Sequence, residues 1–168
     1  MLEILALAIF AGLLVYAACS DIARLIIPNW VSIALVAIFP VAALLLGLSL
    51  AEIGMHFLFG FCVLAVGFFL FNGNIIGGGD AKLLAAAAVW TGFPAFAPFA
   101  FWTAIAGGLI ALALLGARRV IAPADGRPAF VNRLLTPKSG VPYGVAIMAG
   151  GLMAIPAMPF VLGPLTLP

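Results

Sequence analysis

Six apolar runs, each near the ~20 residues that one helical membrane crossing needs, dictate what this chain can fold into. Breaks of charge, proline and glycine delimit them as Leu2–Cys19, Trp30–Leu48, Ile53–Phe71, Ala81–Ala97, Pro98–Gly116 and Val141–Val161. Only twelve of the 168 residues are Asp, Glu, Lys or Arg, too few to cover an apolar core with a water-facing surface. The expected fold is an all-α integral membrane bundle of six transmembrane helices, a single membrane-embedded domain over residues 1–168.

The fourth and fifth runs need separating. Ala81–Gly116 carries one charge, Lys82, and is too long for a single crossing, while Gly92, Phe93 and Pro94 offer a turn within it. Charge placement supports the split. With six crossings and the amino terminus outside, Arg24, Lys82, Arg118, Arg119, Arg127, Arg133 and Lys138 all fall on one side, and Glu3 and Glu52 fall on the other. Basic connections mark the cytoplasm, so both termini are expected to be extracytoplasmic. Fusing the two runs would throw the Arg-rich connection to the wrong side. Met1-Leu2-Glu3 lacks the basic start of a signal peptide, so the first run is expected to be a helix of the bundle.

Several chemistries are disfavoured. The basic residues stand singly or in pairs and form no stripe that could follow phosphates, so no nucleic-acid partner is expected. Cys19 and Cys62 lie within apolar runs as small buried hydrophobes, and His56 has no companion ligand, so neither metal nor cofactor is expected.

Asp21 and Asp80 are the pair that stands out. One follows the first run and the other precedes the fourth, at the same depth on the same face. Carboxylates at the hydrocarbon edge are costly unless hydrated, paired or used. Two that share a site cannot both ionise; one stays protonated to polarise a carbonyl, and the other takes a proton from water. That is the chemistry of peptide hydrolysis. A helix amino terminus at Asp80 favours its charged form and a carboxyl terminus before Asp21 favours the neutral one. Gly77, Gly78 and Gly79 would let an extended substrate backbone approach Asp80 and would permit a tight turn.

These residues resemble a family. Gly77-Gly78-Gly79-Asp80, extended by Ala81-Lys82-Leu83, is similar to the GxGD motif of the type IV prepilin peptidases. Asp21 followed by Ile27-Pro28-Asn29 resembles their other aspartate motif, and Val141-Pro142-Tyr143-Gly144 resembles their proline-tyrosine-glycine element. The resemblance implies a membrane aspartic endopeptidase of a prokaryotic inner membrane, removing the basic leader of a prepilin or pseudopilin at the cytoplasmic edge. It implies catalysis by Asp21 and Asp80, with Gly77, Gly79, Lys82, Pro28, Asn29, Pro142 and Tyr143 shaping the site. Partners would be the pilin substrate helix and membrane lipid. The first connection, about nine residues, lacks the cysteines of the zinc-binding domain that larger members carry, so no methyltransferase activity is expected. The short form resembles peptidases of Flp, or tight-adherence, pili.

Two other functions compete. A proton-coupled transporter would place its acids near the midplane rather than at the edge. A non-enzymatic secretion-assembly subunit would need the bundle but neither carboxylate.

Overall fold

The computed structural model describes residues 1–137 and 139–158. Every regular element among them is helical: α1 (Leu2–Arg24), α2 (Asn29–Leu45), α3 (Leu50–Asn72), α4 (Gly78–Val120), α5 (Ala129–Leu135) and α6 (Tyr143–Ala154), which runs into a 3-10 turn at Ile155–Ala157. Helices α1, α3 and α4 are long and apolar enough to cross a membrane, while α2 and α6 are shorter apolar helices. Lys138 and the end of the sixth expected run, 159–161, lie outside the described residues.

Helix α4 has 43 residues. Straight, it would measure about 65 Å at 1.5 Å per residue, twice the ~30 Å hydrocarbon core. It breaks instead at Gly92, where φ is 58° and ψ is −175°, a backbone that side-chain-bearing residues resist. Pro94, two residues on, has no N–H to rebuild the ladder. The break therefore precedes the expected Ala97–Pro98 boundary, and Pro98 lies inside the second arm.

Side-chain contacts fix the directions of the segments. Tyr16 meets Trp30, and Leu5 and Ala6 line a groove with Ala42 and Leu45, so α1 and α2 are antiparallel. Lys82 donates to Asn29 Oδ1 and Trp90 Nε1 donates to the Leu35 carbonyl, so α2 runs parallel to the first arm of α4. Gly60 faces Val89 and Gly67 faces Ala81, which makes α3 antiparallel to that arm. Gly144 meets Asp21 and Gly151 meets Leu14, so α6 opposes α1. Gly107 lies under the Tyr143 ring and Gly150 against Phe99 and Thr103, so α6 also opposes the second arm. Together these relations reverse α4 at Gly92, and six helical segments alternate up and down. The glycines at these crossings allow backbones to approach where a side chain would intrude.

The alternation sorts the charges. Asp21, Asp80 and every described Lys and Arg collect at one end, and Glu3 and Glu52 at the other. At the latter end a Ser49–Glu52 capping box starts α3. Nearby, His56 Nδ1 meets the Val89 carbonyl at 2.7 Å, close to the break at Gly92. Phe10, Leu14, Leu35, Phe39, Trp90 and Phe99 form the core between the ends. Cys19 and Cys62, expected to be buried, are exposed on the outside of the bundle. In a chain whose solvent is lipid, an apolar residue gains little by choosing the interior.

Candidate active site

Asp21 is buried, 4% exposed, on the last turn of α1. The helix outlasts its apolar run and ends at Arg24, so Asp21 lies within it, where the sequence reading placed it beyond the end. Its Oδ2 accepts the backbone N–H of Gly144 at 2.6 Å. That donor is free because Gly144 is the second residue of α6, where no helical carbonyl is available to it. Pro142 is the N-cap of α6, in keeping with proline's fitness for helix starts.

Asp80 is partly buried on the first turn of α4. The N-cap is Gly77, so Asp80 is the third helical residue and not the cap itself. Its carboxyl turns back onto the Gly77 backbone, as an acidic residue at this position does in a capping box. Each aspartate thus has a backbone partner, and position at a helix end alone does not divide their roles. The two carboxyl groups lie within electrostatic range of one another, and no Lys or Arg among the described residues neutralises either.

The three glycines before Asp80 serve this chain's own packing. A Cβ on Gly77 would lie 2.7 Å from Asp80 Oδ2, one on Gly78 would lie 3.3 Å from the Phe71 ring, and one on Gly79 would lie 3.3 Å from Ile27 Cβ. A side chain at Gly77 would thus press on the Asp80 carboxyl itself, whereas at Gly78 and Gly79 it would meet neighbouring segments. Gly77 has φ −72°, open to any residue, so the expected special turn is not what selects glycine there.

Most of the remaining predicted residues converge here. Lys82 Nζ donates to Asn29 Oδ1 at 3.0 Å, tying α4 to α2, and Pro28 is the N-cap of α2. Tyr143 packs its ring on Gly107 of the second α4 arm. Residues not singled out from sequence complete the site. Gly144 holds Asp21, and Ile27 touches both Gly79 and Gly144; their only sequence signal is membership of the second and third motifs. Arg118 donates to the Leu134 carbonyl, Ser139 Oγ and the Gly140 carbonyl, anchoring the segment that leads into α6. Arg133 donates to the Ala23 carbonyl and anchors α5 to the end of α1. Nothing in the spacing of either arginine marked it.

Chemically, the arrangement offers two carboxyl groups of separate helices at one end of an apolar bundle. No cluster of His, Cys, Asp and Glu that could hold a metal occurs among the described residues. A family model described as the type IV leader peptidase family matches residues 8–112, well over half the chain and inclusive of Asp21, Asn29, Asp80 and Lys82. No curated protein and no solved structure matches.

Proposed function

Because this chain belongs to the type IV leader peptidase family, we propose that it is a membrane aspartic endopeptidase whose Asp21 and Asp80 cleave the leader from prepilins or pseudopilins at the cytoplasmic face. The observation that carries this reading is the meeting of the two aspartate segments, from α1 and α4, at one end of the bundle through Ile27 and Gly144.

Two carboxyls that feel one another's charge and are partly withdrawn from water hold one proton between them. The protonated one donates to the scissile carbonyl oxygen. The ionised one takes a proton from the water that attacks the carbonyl carbon, giving a neutral tetrahedral diol. Return of a proton to the amide nitrogen lets the C–N bond break, which frees a leader carboxyl and a new pilin amino terminus and restores the shared proton.

Charge supports the orientation. The end that carries the aspartates also carries Arg24, Lys82, Arg118, Arg119, Arg127 and Arg133, and such bias faces the cytoplasm of a prokaryotic inner membrane. Six crossings would then leave both termini outside. The α1–α2 connection is only residues 25–28, shorter than expected, and supports one peptidase domain acting without a methyltransferase module in that position. The substrate's own hydrophobic helix and the surrounding lipid are the partners.

Membrane vesicles of defined orientation test the reading. Inside-out vesicles should cleave an added precursor at the leader junction, identified by the product's amino-terminal sequence, and sealed right-side-out vesicles should not. The reverse pattern would overturn the cytoplasmic assignment, and cleavage by neither would count against the substrate class.

A further inference from the structure

Ile27 is touched by both aspartate neighbourhoods. A Cβ placed on Gly79 would stand 3.3 Å from Ile27 Cβ and 3.6 Å from its carbonyl oxygen; one placed on Gly144 would stand 3.2 Å from Ile27 Cδ1. Gly79 directly precedes Asp80, and Gly144 supplies the N–H that holds Asp21. The base of Ile27 therefore bears on the start of α4 and its tip bears on the start of α6.

The base is anchored. Ser20 Oγ donates to the Ile26 carbonyl at 2.8 Å, closing the turn that follows α1, and Pro28 immediately begins the cap of α2. A β-branched side chain has few χ1 choices, so its reach is well defined. Ile27 is 7% exposed, whereas its neighbour Ile26 is 62% exposed.

We infer that Ile27 is a positioning residue that acts as a spacer, setting the separation between the Asp21 and Asp80 carboxyls. The inference rests on the aspartic mechanism proposed above. Carboxyls that share a proton titrate as a pair, and their two macroscopic steps spread apart as the groups approach. The charged and titratable groups around them are Tyr16, Cys19 and Arg24 on α1, Lys82, Arg118 and Arg119 on α4, Arg133 on α5 and Tyr143 on α6; of those on α3, Glu52 and His56 lie at the far end and Cys62 is exposed on the outside of the bundle, and α2 has none. Lys82, Arg118 and Arg133 bond to Asn29, to the segment before α6 and to Ala23. None of them bonds to the Ile27 side chain, so shortening it leaves these partners in place.

The test compares pH–rate profiles of peptide cleavage for wild type, Ile27→Val, Ile27→Ala and the control Ile26→Val. Shortening the spacer should move the two limbs apart, by about half a pH unit in Ile27→Ala, the change expected when two partly buried unit charges come ~1 Å closer. Ile27→Val should shift in the same direction by less, and Ile26→Val should match wild type. If Ile27→Ala does not fold, Ile27→Val, which lacks one methylene, carries the comparison. Limbs that keep their spacing or narrow in a folded variant would reduce Ile27 to packing and overturn the inference. Cleavage that survives Asp21→Asn or Asp80→Asn would instead overturn the aspartic mechanism on which it rests.

Discussion

Gly144→Ala puts the smallest possible group into the contact between α6 and the Asp21 carboxyl. Its Cβ would lie 2.9 Å from Asp21 Oδ2, 3.1 Å from Asp21 Cβ and 3.2 Å from Ile27 Cδ1, where non-bonded atoms prefer ~3.5–4.0 Å. Relief requires roughly half an ångström of movement against several neighbours at once, and the 2.6 Å bond from Gly144 to Asp21 must lengthen with it. Misplacement of a catalytic group on the 1 Å scale costs about 10²-fold in rate, equivalent to ~2.7 kcal/mol of activation free energy. Overpacking removes ~1–3 kcal/mol of stability, within the ~5–15 kcal/mol margin of ordinary proteins, so the variant is expected to fold. The assay is kcat for precursor cleavage by purified, reconstituted protein, with a thermal melt alongside. Gly108→Ala is the control, because no atom lies within 4 Å of its would-be Cβ. A folded Gly144→Ala that cleaves at the wild-type rate would show that this contact does not hold the carboxyl proposed to be catalytic.

Arg118→Gln removes a guanidinium that serves three acceptors before α6; limited proteolysis should find the 121–140 connection more open, and cleavage should fall about tenfold, one such charge-assisted bond being worth ~1.5–3 kcal/mol. Arg119→Gln, which removes the same charge from an exposed side chain, should change neither. Gly92→Ala forces a side chain into left-handed φ and against the His56 ring, and should lower stability by at least ~1–2 kcal/mol in denaturant titration of the detergent-solubilised protein. Lys82→Met and Asn29→Ala should be non-additive in a double-mutant cycle on stability, with a coupling of ~0.5–1 kcal/mol for this exposed pair; strict additivity would mean the 3.0 Å bond contributes nothing.

Much of the architecture was legible because apolar run length and basic charge obey simple physics. The continuous stretch Ala81–Gly116 shows why both were needed: run length alone suggests one overlong helix, and the side on which the arginines must fall demands the reversal that Gly92 supplies. Local register was harder to see. Polar Ser20, Asp21 and Arg24 end the apolar run but not the helix, since a helix can extend past the hydrocarbon edge. Three consecutive glycines give no mark of which one caps α4; the cap is Gly77, which makes Asp80 the third helical residue. Burial was the least legible property. A soluble helix declares its inner face by a polar outer one, whereas here Cys19, Cys62, Phe61 and Phe69 face outward although as apolar as the core. The bond from Gly144 to Asp21 joins residues 123 apart, and only the coexistence of motifs in one chain hinted that they meet.

The central claim is that Asp21 and Asp80 act together on one peptide bond, and the most direct measurement is the cleavage rate of a pilin precursor by wild type, Asp21→Asn and Asp80→Asn at matched amounts of folded protein. Asparagine nearly preserves shape and size but cannot exchange the proton. The account predicts that each substitution alone lowers the rate by ~10²–10⁴-fold, the range general acid–base groups supply, and that the double variant is no slower than the worse single one. A near-wild-type rate in either single variant would contradict it.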